Sequence, residues 1–270
     1  MTNAKTEAPT PMRNICSKWI LCGLVTAVCL SLVGAGCGSG KKQAKTQKLS
    51  PAQQARVADS MIRAGRVDDA LKSLDIAIEQ EPENPQWRYH RGRICFEAGR
   101  YEDAEQAFLK ALELNSTLTD VHNFLGAVYN EMGRKSEAEQ AFRLVLEDPA
   151  YPTPEKAYFN LGRLYDSQGR DEEGVDSLRR AVEINPKYYA AHFQLASLLD
   201  RMNKLEEAAS EYEVAAPGFR TSGDYHYQLG FVYFRLGRKD QARDSLRRAI
   251  DVAPGSRSAA KAGDLLRTIP

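Results

Sequence analysis

No catalytic signature is present in these 270 residues: there is no Gly-rich phosphate loop, HExxH pair, CxxC pair or GxSxG elbow. An enzyme would need a site that none of these patterns reveals, so we read the chain as non-enzymatic. Charge of one sign is also missing. With 37 basic and 36 acidic side chains the net charge is +1, which excludes the strongly basic footprint of a general nucleic-acid binder. Tryptophan occurs twice and cysteine five times, and four of the cysteines lie within the first 37 residues. That leaves Cys95 alone in the rest of the chain, so no intramolecular disulfide framework can form there. Long apolar runs are scarce. The 15 uncharged residues Trp19–Val33 form one, short of the roughly 20 needed to span a bilayer. Charged residues at 27% and aromatics at 9% nevertheless describe a folding chain, not a disordered one.

The apolar run is preceded by Lys5, Arg13 and Lys18 and followed by Val33-Gly34-Ala35-Gly36-Cys37. A basic start, an apolar core and a small-residue exit are the layout of a secretory signal. The exit resembles a bacterial lipoprotein signal, although Gly34 stands where that family usually has Leu. The resemblance implies that residues 1–36 are removed and that Cys37 carries a diacylglycerol and an N-acyl chain. Gly38 in place of Asp then implies sorting to the outer membrane, on its periplasmic side. Met12 makes a more ordinary start for such a signal than Met1. The alternative is an uncleaved N-terminal anchor helix. Residues 37–50 carry Lys41, Lys42, Lys45 and Lys48 without an acid and read as a flexible tether able to rest on anionic head groups. Beyond it, 30 basic face 35 acidic residues, so the near-neutral total divides into a basic leash and a mildly acidic body.

That body is periodic. Gly65, Gly99 and Gly133 are spaced by 34 residues, Gly169 follows after 36, and Gly237 lies two periods further with Asn203 at the slot between. Ala70, Ala104, Ala138, Ala208 and Ala242 keep the same phase, with Gly174 in the fourth unit. Within one unit Val121, Phe124, Leu125, Val128 and Tyr129 make one helical stripe, and Ala138, Ala141, Phe142, Val145 and Leu146 make a second. Pro82, Pro186 and Pro254 stop second helices at matching points. A 34-residue helix-turn-helix period, with Leu-Gly at positions 7–8 and Tyr or Cys at 11, resembles the tetratricopeptide repeat. The resemblance implies an all-α, right-handed α-solenoid of six repeats (51–84, 85–118, 119–152, 155–188, 189–222 and 223–256). Residues 257–270 then form a C-terminal capping helix. Such pairs bury their faces only by stacking on neighbours.

Two irregularities interrupt the period. One is the two-residue excess in Asp148-Pro149-Ala150-Tyr151-Pro152-Thr153-Pro154-Glu155, where Thr153 is placed to cap the next helix and Pro154 to open it. This string, continuing into Lys156-Ala157-Tyr158-Phe159-Asn160-Leu161-Gly162, resembles that of the type IV pilus pilotin lipoproteins. Those proteins combine a lipoprotein signal with about six repeats. The other is Ala216-Pro217-Gly218, which ends a second helix early; the loop after it is either a contact element or an irregular connection.

Positions 2, 5, 9 and 12 of first helices line the groove of this repeat family. Among them are Tyr89, Phe96, Asn123, Asn130, Phe159, Arg163, Phe193, Tyr227, Phe231 and Phe234. Aromatics with interspersed Asn and Arg suit an apolar or amphipathic peptide, while about half of them are expected to be exposed and the rest packed between repeats. His122, His192 and His226 all sit at position 4, too far apart to share a zinc, and Cys95 reads as a small buried hydrophobe. Neither metal, nucleic acid nor small-molecule substrate is expected. The pilotin resemblance implies a secretin subunit as partner, bound and helped to multimerise in the outer membrane. The competing reading is a repeat lipoprotein serving outer-membrane protein assembly or periplasmic proteolysis.

Overall fold

The computed structural model describes residues 48–270. The leader, most of the tether and Cys37 lie outside the described residues. Thirteen α-helices follow one another without a strand among the described residues: α1 (Pro51–Arg63), α2 (Val67–Gln80), α3 (Pro85–Glu97), α4 (Tyr101–Leu114), α5 (Thr119–Glu131), α6 (Lys135–Leu146), α7 (Pro154–Ser167), α8 (Asp171–Ile184), α9 (Tyr189–Arg201), α10 (Leu205–Ala215), α11 (Gly223–Arg235), α12 (Lys239–Val252) and α13 (Arg257–Thr268). They pair as α1 with α2 through α11 with α12, and α13 closes the stack against α11 and α12. The all-helical repeat architecture inferred from the sequence is the one observed.

The turn inside each pair is set by one left-handed residue. Gly65, Gly99, Gly133, Gly169 and Gly237 have φ between 70° and 76°, and Asn203 fills the remaining slot at φ 62°. The chain reverses there without a β-carbon penalty, or with the small one that Asn tolerates. Helix pairs then close through position 8. A Cβ built at Gly92, Gly126 or Gly162 would meet Phe108, Phe142 or Leu178 of the paired helix at 2.5–2.6 Å, so glycine there admits the large side chain at position 24. Phe108 and Leu178 are fully buried and Phe142 is 2% exposed; each such side chain contributes about 1.5–3 kcal/mol.

First helices of successive repeats also pack directly on one another, α3 on α5, α5 on α7, α7 on α9 and α9 on α11, and no second helix packs comparably on the next. The first helices therefore form the inner face of the curve. The core is divided. One cluster joins α1 through α6, another joins α8 through α13, and smaller groups around Phe142, Leu164, Tyr165 and Tyr151 bridge them.

That junction is where the two-residue excess lies, and it is a clasp. Tyr151 is buried and its hydroxyl donates to Asp120 at 2.6 Å. Asp148 accepts from the Thr119 hydroxyl at 2.6 Å and from the Ala150 amide at 3.0 Å. Pro154 opens α7, but Thr153 makes no side-chain cap, contrary to the sequence expectation. Its ψ of 55° falls short of the extended backbone (ψ 109° to 162°) from which Ser50, Asn84, Ser222 and Ser256 cap their helices.

Candidate functional site: the inner face

Five first helices, α3, α5, α7, α9 and α11, bring the ten sequence-predicted residues onto one surface. Arg163 is exposed and the other nine are half-buried, so none is lost to the core. They do not form a uniform stripe. At the N-terminal end, Tyr89 and Phe96 pack around Phe124, with ring centroids 5.6 and 6.4 Å from it. At the C-terminal end, Tyr227 and Phe231 stack at 6.1 Å, and Phe234 lies against the adjoining core. Lys261 of α13 sits 5.6 Å over the Tyr227 ring and Arg235 sits 5.8 Å from that of Phe231, giving the aromatic patch a cationic border.

Between these patches the face is polar and largely self-paired. Asn160 of α7 donates to Asn123 of α5 at 2.9 Å. Asn130 accepts from the Lys135 ammonium at 2.7 Å. Gln194 donates to Asp166 at 2.6 Å, and Arg201 reaches the other oxygen of the same carboxylate. An amide has up to four hydrogen-bonding positions, so Asn123 and Asn130 keep capacity for the backbone of an extended peptide. Phe159, with Tyr188 at 5.0 Å and the Arg163 guanidinium at 5.8 Å, is the aromatic of this middle stretch.

Phe193 is the exception among the anchors. Phe219 stacks on it at 4.7 Å and 28°, and Tyr212 lies 5.6 Å away. The loop after the helix break at Pro217 thus delivers Phe219 onto the inner-face aromatic. Gly218 is required for that path, because a Cβ there would stand 2.7 Å from that of Tyr189.

Burial sets the local ionisation. It pushes the Tyr89 hydroxyl up, aided by the charge of Asp120, and pushes His90 down, aided by Arg93. Burial also raises the Asp200 carboxyl, although Arg235 pairs with it and pulls the other way. Away from the groove, His192 is buried and bridges Glu211 at 2.6 Å and the Pro186 carbonyl at 3.1 Å. His226, also buried, donates from Nε2 to the Arg220 carbonyl at 3.0 Å. These are structural hydrogen bonds. Among the described residues no three His, Cys, Asp or Glu side chains are grouped to hold a metal, and no helix is long and apolar enough to cross a membrane.

Two features escaped the sequence reading. Phe124, read from the sequence only as a member of the apolar stripe, is at position 6 of its unit the hub of the N-terminal aromatic patch, while the same slot in later units holds the amides Asn160, Gln194 and Gln228. The 34-residue spacing of those amides was a readable signal. The second is an arginine ladder. Arg100, Arg134, Arg170 and Arg238, each following the left-handed glycine, reach back to Asp68, Glu105, Glu139 and Glu206 of the preceding repeat. Arg134 and Arg170 also lie 4.3 and 4.2 Å over the rings of Tyr129 and Tyr165.

Comparison with known proteins agrees with this architecture. The model of a family described as the cilia and flagella-associated protein 70 C-terminal domain, a tetratricopeptide-repeat model, matches residues 41–228, and the tetratricopeptide-repeat model itself matches 223–256. Among solved structures, PilW, titled a widely conserved type IV pilus biogenesis factor, superimposes with a TM-score of 0.68 at 21% identity. The match covers 81% of this chain and 97% of that one. Pseudomonas aeruginosa PilF superimposes with a TM-score of 0.70 at 18% identity over 80% of this chain and 97% of that one. Anaphase-promoting complex subunit 3 of Dictyostelium discoideum is 34% identical over 86 residues, which are 31% of this chain and only 9% of that protein. Because the first of these models spans well over half of its length, the chain belongs to this tetratricopeptide-repeat family, with the all-helical pairing described above.

Proposed function

We propose that the protein is a pilotin: a lipoprotein held by an acylated Cys37 on the periplasmic side of the outer membrane, where it binds secretin subunits of the type IV pilus machine and promotes their multimerisation. The observation that carries this reading is the inner face itself. It is a solenoid surface with aromatic patches at both ends and a polar centre, built on a fold that covers nearly the whole of PilW and PilF. The tetratricopeptide-repeat family supports a protein partner over a small-molecule one. The secretin, the outer-membrane location and the diacylglycerol and N-acyl groups on Cys37 belong to the proposal.

In this account an apolar segment of the secretin monomer lies along the inner face, its side chains on Tyr227, Phe231 and Phe234 and its backbone on Asn123 and Asn130. The lipid and the Lys-rich tether raise the local concentration of the complex at the membrane. A pull-down of secretin with Phe231→Ala/Phe234→Ala tests it: binding and piliation are expected to fall together. Undiminished binding with normal pili refutes the groove. In a deletion strain, loss of secretin multimers with intact porins supports the pilotin, whereas a broad envelope defect supports a general assembly or proteolysis adaptor.

A further inference from the structure

At 11 residues α10 is the shortest helix of the stack, because Pro217 removes the amide that would continue it. The chain leaves in a single 3-10 turn, Ala216–Gly218. The last turn that completes the 14-residue helices α2, α4, α8 and α12 is therefore missing beside α11 and α12. A cavity of about 480 Å³ opens there, within the range of small-ligand sites, roughly 300–1,000 Å³. It is lined by residues of α10 and α12, of the 3-10 turn and the loop after it, and of the flank of α11 that carries Tyr225 and Leu229, and it includes none of the ten inner-face residues.

The apolar lining comes from Pro217, Tyr225, Leu229 and Val252. Arg220 and Arg248 line the same cavity, both are exposed, and neither forms an ion pair among the described residues. Glu213, the acidic lining residue, accepts from the Tyr233 hydroxyl at 2.7 Å, so two guanidinium groups face one already engaged carboxylate. The backbone of Arg220 is fixed by His226, which donates to its carbonyl. The surroundings reinforce the sign: residues 223–270 carry nine basic and five acidic side chains, whereas 51–222 carry 21 and 30. The cavity thus lies where the basic end of an otherwise acidic body begins.

An apolar floor with two unpaired guanidinium groups complements a ligand that is apolar and anionic at once. Arginine forks match a carboxylate in particular. We propose that this cavity binds the C-terminal residue of a partner chain, apolar in side chain, with its free carboxylate taken by Arg220 and Arg248. A chain terminus supplies both features on one residue. An internal acidic residue must make room for chain on both sides.

The test uses the full chain in detergent and fluorescence anisotropy with three labelled hexapeptides. One ends in phenylalanine with a free carboxylate, one is its C-terminal amide, and one carries an internal Phe-Glu pair and an amidated end. The free acid is expected to bind saturably, and the amide and the internal peptide at least tenfold more weakly. Arg220→Gln/Arg248→Gln is expected to weaken the free acid at least tenfold with an unchanged circular dichroism spectrum, while Phe231→Ala/Phe234→Ala leaves it unaffected. Equal binding of acid and amide overturns the site. So does equal binding of the internal peptide, loss of binding in the groove variant, or no saturation by any peptide up to millimolar concentration. None of these outcomes bears on whether the groove binds secretin.

Discussion

Replacing Gly126 by alanine asks whether the close approach of α5 and α6 is set by the ring of Phe142. A methyl at 126 would stand 2.5 Å from that ring, inside any tolerable contact, and Phe142 is only 2% exposed and has little freedom to retreat. Overpacking of this kind costs about 1–3 kcal/mol, whereas Gly→Ala in a helix interior otherwise gains roughly 1 kcal/mol. Gly126→Ala alone should therefore be neutral to destabilising, by up to about 2 kcal/mol once the two effects are combined. Phe142→Ala alone should cost about 3–5 kcal/mol. In that background the methyl enters vacated space, so adding Gly126→Ala should now stabilise, by about 1 kcal/mol. The sign of the substitution reverses with its neighbour, a coupling of about 1–3 kcal/mol. Urea titrations followed by far-ultraviolet circular dichroism read it as midpoints, with equal slopes showing that the array still unfolds as one unit. A Gly126→Ala effect of the same size and sign in both backgrounds would refute the packing argument.

Other expectations follow from single features. Asn203→Ala should lower stability by roughly 1–2 kcal/mol, because alanine resists the left-handed backbone and the 2.6 Å bond from Arg235 is lost; Asn203→Gly should cost less, and equal melting temperatures for the two would contradict this. Burial pushes the hydroxyls of Tyr151 and Tyr225 up to about 12 from their ordinary 10. The folded state thus favours the neutral phenols, and the stability they contribute is complete below about pH 10 and lost as pH rises toward 12. Phenolate absorbance should show them ionising together with unfolding, not reversibly in the folded protein near pH 10. Cys95 is fully buried and burial pushes its thiol up, so a thiol reagent should modify it at an appreciable rate only in urea; equal rates without denaturant would show that the site opens.

How far the molecule was legible depended on whether a feature repeats. Every left-handed turn inside a helix pair was visible because Gly65, Gly99, Gly133, Gly169 and Gly237 recur, and the periodicity itself marked Asn203 as their substitute, whereas Gly255, left-handed before α13, stands outside that phase. The ten inner-face residues were legible as slots, but their internal partners were not. Phe193 carries the same slot signal as Phe159, yet Phe219 covers it from a loop unique to the fifth repeat. The arginine ladder keeps its arginines in phase while its acids shift between slots, Asp68 and Glu206 at one and Glu105 and Glu139 at another. Tyr151 stands near the end of the third repeat at a slot that holds no aromatic in the neighbouring units, and its bond to Asp120 spans 31 residues, so the clasp became apparent only once the helices were in place.

The central claim is that the aromatic inner face receives the secretin. A photo-cross-linking residue placed at Phe231 in cells, compared with one at the outward-facing Leu144 (44% exposed), tests it most directly. The account predicts a secretin adduct from position 231 and none from 144. An adduct from 144 with none from 231 would contradict it.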